Sequence, residues 1–382
     1  MRGITVKEKR RMLVLLALVL GVLGLVAAGC GGDDSSAEPA AEPTAPAEEP
    51  SAEPPAEEPA AAPGEGIKIG LVTDTGGVND RGFNEFSIAG LDQAMDELGI
   101  DGRVFISESE EDYVPNLVAA AEDGSDLVLS VGFLLAAPTV EVAAQFPDVN
   151  FAGIDHFYGT EGDGCEESGT CVLPNTLGLG FPSEEAGYVA GIVAALTTQT
   201  GTISTVGGIS IPPVDNWIAG FQQGALSVNP DINLLNAYSQ DFVDQAKCKE
   251  IGLDQVAQGS DVVFQVAGLC GLGALDAAGE QGVFAIGVDA DQSFKGDYIL
   301  TSALKPLQVA VFDTIATQVD GSFSGGVNTF FSVTDFPEAA LLAPFSADVS
   351  QEAQDAVAVA TEQLISGEVD PTASVQEVGV TP

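Results

Sequence analysis

The side chains able to do chemistry in this 382-residue chain gather where apolar runs end. The stretch "VTDTGGVNDRGFNEFSIAGL", residues 72–91, begins as the end of an apolar strand and crosses a turn carrying Asp74, Asn79 and Asp80. It then becomes a helix bearing Phe83 and Asn84. Further polar or aromatic groups follow apolar runs at Gly132–Phe133, Asp155–His156, Pro212–Trp217, Asp241, Gly268–Gly273 and Asp289–Asp291. Carboxylates and amides exchange hydrogen bonds with hydroxyls and ring N–H groups, and aromatic faces stack on planar or sugar rings. The set suits a neutral, hydroxylated, partly aromatic small molecule. It suits catalysis poorly, because the only histidine is His156 and there is no Gly-x-Ser-x-Gly elbow or Gly-Lys-Ser phosphate loop. A lone histidine after a strand is more often a satisfied loop residue than a general base. "GLCGLG" at 268–273 resembles a dinucleotide loop only superficially. Beyond residue 29 the basic residues are Arg81, Arg103, Lys68, Lys247, Lys249, Lys295 and Lys305. With so few groups to grip phosphate or carboxylate, a phosphorylated or amino-acid ligand is disfavoured.

The elements that must position these groups alternate. "IKIGLV", "RVFIS", "DLVLSVG" and "VNFAGI" read as buried strands, with helical patterns at Gly82–Leu98, Val114–Glu122 and Leu135–Phe146. A second series runs through helix Ser183–Thr198, strand "GTISTVG", helix Val214–Val228, strand "INLLNA", helix Asp244–Gln258, and strands "DVVFQVAG" and "GVFAIGV". The fold class is α/β: two units in tandem, each a parallel sheet flanked by helices, joined near "LGLGFP". After "DYILTSALK" come helix Pro306–Val319, strand "NTFFSV" and helix Gln351–Ser366, so the chain returns between units more than once. In open parallel sheets a ligand sits beyond the carboxyl ends of the strands, where the groups above lie.

The amino terminus carries Lys7, Lys9, Arg10 and Arg11 before an apolar run from Met12 to Ala28, ending "LVAAGC" at Cys30. That is a signal peptide over 1–29 with a cysteine positioned for lipidation. From Gly31 to Gly66 the chain uses only Gly, Asp, Ser, Ala, Glu, Pro and Thr. A stretch without apolar bulk is expected to be a disordered, self-repelling linker, reaching roughly 100 Å when extended. Removing the signal takes five of the 12 basic residues and one of the 57 acidic ones, leaving seven against 56. Nucleic acid and anionic lipid headgroups are poor partners for that surface. Four cysteines remain, allowing three pairings; Cys165 with Cys171 closes the polar loop "EESGT", and Cys248 with Cys270 would staple a helix to the end of the following strand. Neither pair has the close spacing of a zinc site, and no metal or cofactor is expected.

The sequence is similar to the basic membrane lipoprotein family, the purine-nucleoside-receptor type of substrate-binding protein for ABC importers. The resemblance rests on the opening motif with "SEEAGYVAGIVAA", "ISIPPVDNWIAGFQQGA", "GSDVVFQVAGLCGLGAL", "AIGVDADQ" and "LTSALK", in that order over nearly the whole folded region. It implies a two-lobed periplasmic-binding type I fold with three crossover segments: residues 67–181 and 305–325 in the first lobe, 182–304 and 326–382 in the second. It implies a monomeric, non-enzymatic protein on the extracytoplasmic face of the cell membrane, serving ABC permease subunits. By the same resemblance, Asp74 and Asn84 meet the purine edge, and Phe83 and Trp217 cover the two faces of the base. Asp289 and Lys305 hold the ribose hydroxyls, and Phe133, Asp155 and Gly268 line the pocket. Trp217 stands where Phe is usual. Arg81-Gly82 replaces a Lys/Asp-Ser type of pair, which is expected to loosen the start of the helix. The rival readings are a sugar or other metabolite receptor, a sensor for a membrane signalling partner, and a secreted hydrolase.

Overall fold

The computed structural model describes residues 62–160, 165–337 and 340–371. The signal, Cys30 and the linker up to residue 61 lie outside the described residues. The first lobe contains β1 (Lys68–Val72), α1 (Phe83–Leu98), β2 (Asp101–Phe105), α2 (Tyr113–Glu122), β3 (Leu127–Val131), α3 (Ala136–Ala143), β4 (Asn150–Ile154) and β5 (Thr176–Gly180). The second contains α4 (Ser183–Thr197), β6 (Thr202–Gly207), α5 (Pro212–Val228), β7 (Asn233–Tyr238), α6 (Gln245–Ala257), β8 (Val262–Val266), α7 (Gly268–Gln281), β9 (Phe284–Asp289) and β10 (Ile299–Leu304). The chain then returns through α8 (Leu307–Val319) and β11 (Val327–Phe330), and ends with α9 (Gln351–Ser366).

Every strand pairing is parallel. One sheet has the order β11-β5-β4-β3-β1-β2 and the other β10-β9-β8-β6-β7. The central strands are buried along their length, as β3, β5 and β8 show, because helices cover both faces. Leu307, Ala310, Val311 and Ile315 of α8 pack with Ile69, Leu91 and Leu129, so this helix belongs to the first lobe. Val357, Ala360 and Leu364 of α9 pack with the second-lobe core around Val189 and Phe221. The chain therefore crosses between sheets three times.

Three assignments differ from the sequence-based expectation. Residues 62–66 belong to the fold rather than to a linker: the buried Gly64 donates its N–H to Leu98 O at 2.7 Å, locking the chain to the end of α1. β11 pairs in register with β5, Val327 opposite Leu177 and Phe330 opposite Gly180. The last crossing thus falls after Phe330 instead of at 326. Finally, the glycine-rich run after β8 is helix α7, not a loop between two strands. A Cβ on Gly273 would run into the Gln245 carbonyl of α6 and one on Gly271 into the Gln265 side chain of β8, so these two glycines serve close packing of α7 on its neighbours.

Both cysteine bridges are formed, Cys165–Cys171 with a Cα separation of 4.8 Å and Cys248–Cys270 with 5.6 Å. Because Cys270 lies inside α7, the second bridge ties helix α6 to helix α7 rather than a helix to a strand end.

Candidate functional site

The carboxyl ends of the two sheets face each other across one cleft. From the first lobe, Asp74, Asp80, Phe83, Asn84, Gly132, Phe133 and Asp155 line it; from the second, Val214, Trp217, Phe242, Gly268, Val288 and Asp289, with Lys305 on the crossover. All nine residues singled out as ligand-binding in the sequence therefore meet in a single cleft.

Each is placed by local backbone chemistry. Asp74 follows β1 in a turn that Asn84 braces from α1: Asp74 N–H donates to Asn84 Oδ1 at 3.1 Å, and Asn84 Nδ2 donates to Thr75 O at 3.1 Å. The Asn84 amide thus holds the turn that presents Asp74. The Asp74 carboxylate accepts from Thr75 N–H at 2.7 Å and from the Tyr113 hydroxyl. Burial pushes Asp74 up to about 6, against the pull of those hydrogen bonds. Gly132 has φ +110°, and a Cβ there would collide with the Asp74 carboxylate, so only glycine permits this approach.

The expectation that Arg81-Gly82 loosens α1 is not met. The Asp80 carboxylate accepts from the N–H groups of Gly82 at 3.1 Å, Asn84 at 2.8 Å and Glu85 at 3.0 Å. Asp80 closes the orphan donors of the first turn, though its own carboxyl is raised by burial.

Asp155 and Asp289 occupy equivalent places, one just after β4 and one ending β9, and both adopt left-handed backbone, φ 61° and 66°. Non-glycine residues held in that region are uncommon and cluster at functional sites. Lys305 is 6% exposed and joins them. Its Nζ lies 2.9 and 2.7 Å from the two Asp155 oxygens, while its backbone N–H donates to Asp289 O at 3.0 Å. The ammonium is ringed by Phe83, Phe181 and Trp217, with centroids at 5.1, 5.2 and 6.0 Å. The Lys305 ammonium is thus bonded to Asp155. Burial lifts Asp289 to about 7 despite the Lys305 charge, and Asp155 and Asp80 push it the same way.

Some strand-end candidates lie elsewhere. His156 is fully buried, its Nε2 2.8 Å from Gly132 O and its Nδ1 2.6 Å from the Tyr158 hydroxyl. The carbonyl must accept, so Nε2 carries the proton and Nδ1 accepts from Tyr158; burial lowers the pKa to about 4 and keeps the ring neutral. Asp241 faces Lys247 at 2.6 Å, which holds it down to about 2. Sequence reasoning missed Phe242, whose signal was an aromatic next to the strand-end carboxylate Asp241. It also passed over Ile211, which extends the apolar wall of Pro213 and Val214.

Comparison with known proteins fits this geometry. The model of the Bmp family, described as ABC transporter substrate-binding protein PnrA-like, matches residues 67–336. The chain belongs to this family. Family members bind a substrate for an ABC transporter and do not transform it, so a small-molecule ligand and permease partners follow. The chain is 31% identical to the "CD4+ T-cell-stimulating antigen" of Listeria monocytogenes, over 79% of this chain and 87% of that protein. It is 30% identical to the "ABC transporter nucleoside-binding protein BmpA" of Lactococcus lactis, over 79% and 88%. A solute-binding protein of an ABC transporter system from Aeropyrum pernix shares the fold with a TM-score of 0.68 and 27% identity, covering 80% of this chain and 92% of that one. The two-lobed binding-protein architecture is thereby established for this Bmp-family chain.

Proposed function

We propose that this Bmp-family protein is a lipid-anchored receptor on the extracytoplasmic face of the membrane. It closes its lobes on a purine nucleoside and delivers it to a permease. The observation that carries the ligand is that both lobes bring carboxylates to one aromatic-walled cleft. Asp74 is available to ring N–H groups and Asp289 to vicinal hydroxyls, with Phe83 and Trp217 between the lobes. Four carboxylates, those of Asp74, Asp80, Asp155 and Asp289, face a single ammonium, which disfavours a phosphate. The nucleoside-binding name of the Lactococcus lactis relative supports the same ligand class. The amino-terminal signal ending at Cys30 supports the anchor.

Calorimetric titration with adenosine, inosine, guanosine and their free bases tests the ligand. Charge-assisted hydrogen bonds contribute about 1.5–3 kcal/mol each. Asp289→Ala should therefore weaken nucleoside binding by roughly tenfold to several hundredfold. The free bases, lacking the hydroxyls, should lose little. Wild-type protein that binds a hexose or pentose and no nucleoside would replace this reading with that of a sugar receptor.

A further inference from the structure

Arg81, which breaks the family pattern, is not among the cleft-lining residues, yet it reaches the other lobe twice. Its backbone carbonyl accepts from Gln292 Nε2 at 3.4 Å, and its guanidinium carbon lies 5.6 Å from the centroid of the Phe294 ring. Gln292 and Phe294 follow β9 in the second lobe. Gln292 is buried and already fixed: its Oε1 accepts from Gln265 Nε2 at 2.8 Å and Val288 N–H at 3.3 Å, and its own N–H donates to Ser302 Oγ at 3.0 Å. Its amide nitrogen is thereby aimed at the first lobe. Phe294 is 55% exposed, a large apolar ring that its own lobe leaves uncovered. Arg81 holds left-handed backbone, φ 58°, a conformation that costs a non-glycine residue free energy and persists only where surroundings enforce it. Here the enforcing contacts are Glu85 in the same lobe, whose carboxylate accepts from the Arg81 N–H at 3.2 Å and lies 3.7 Å from its guanidinium, and Gln292 across the cleft.

We propose that Arg81, Gln292 and Phe294 form an interlobe latch that sets how long the closed cleft retains its ligand without touching that ligand. The proposal rests on the reading of a ligand enclosed between the lobes, whatever its identity. Both contacts join different lobes, so parting the lobes breaks them. Contacts formed after encounter slow opening and leave association unchanged. The guanidinium–ring contact is planar and cationic, which lysine does not reproduce in full.

The test uses Phe294→Ala, Arg81→Lys and their combination, none of which alters a cleft-lining side chain. Stopped-flow measurement with inosine, adenosine and guanosine should show release accelerated roughly two- to fivefold in Phe294→Ala, with the association rate unchanged. The double variant should release no faster than Phe294→Ala, because both substitutions remove one contact. A ligand-free readout separates the latch from the ligand assignment. Nitroxide labels at Asp92→Cys and Gln258→Cys, exposed positions in opposite lobes, report the interlobe distance. Phe294→Ala should shift that distribution toward longer separations. Wild-type protein that binds no nucleoside, with the distance still lengthened by Phe294→Ala, would sink the nucleoside reading and keep the latch. Unchanged interlobe distances, or unchanged release where a nucleoside binds, would overturn the latch.

Discussion

Asp289 couples the site to pH. Burial raises its carboxyl from 3.8 to about 7, so between those values the folded chain holds a proton that the unfolded chain has released. Stability contributed by this group is therefore greatest at low pH and falls as pH rises through that window. Asp74, raised to about 6, acts in the same sense. A ligand offering two hydroxyls to an ionised Asp289 reverses the preference, because it bonds the charged form. Nucleoside affinity should thus rise with pH up to about 7 and level off above. Titrations at pH 5.5 and 7.5 should differ by roughly tenfold or more in wild type. Asp289→Asn should lose most of that dependence. Equal affinity at both pH values in wild type would remove Asp289 from the hydroxyl subsite. His156, held neutral by burial, adds no charge change at these pH values.

At the scale of elements, the start of α1 carries the first-lobe half of the site, and its order depends on one carboxylate. Asp80→Ala leaves three N–H groups of the first turn without an acceptor. Loss of a capping side chain costs about 0.5–2 kcal/mol. Urea unfolding should show a loss in that range, and amide exchange should quicken at residues 82–85 more than elsewhere. Asp80→Asn, which keeps an acceptor, should recover part of both. Unchanged exchange at these amides in the alanine variant would refute the capping role. The cap was hidden in the sequence because a left-handed Arg81 and a Gly stand between Asp80 and the helix. Strand ends were legible, since β1, β3, β4 and β8 are short apolar runs bounded by polar turns. Helix α7 was not, because Gly271 and Gly273, which allow close packing against β8 and α6, look like a loop when those neighbours are unseen. β11 was assigned to the wrong lobe for a related reason: its half-exposed residues carry no mark of the sheet they join.

Over the whole molecule, the carboxylate excess decides how the protein can meet a membrane. Of the seven basic residues beyond the signal, six form ion pairs, and Lys68 donates to Asp123 O at 3.2 Å. A surface whose cations are already engaged is repelled by anionic lipid headgroups. Among the described residues, no helix is long and apolar enough to cross a membrane. The proposed reading puts the attachment at Cys30. Cys30→Ala should move the protein from the membrane fraction to the soluble fraction, or stall it with its signal uncut. Circular dichroism and ligand titration of the released variant should match wild type, since the anchor lies outside both lobes. Mass spectrometry of the wild-type amino-terminal peptide should find Cys30 bearing lipid. An unmodified Cys30 on wholly soluble wild-type protein, or a Cys30→Ala variant that is processed yet still sediments with membranes, would show that something other than this cysteine sets the location.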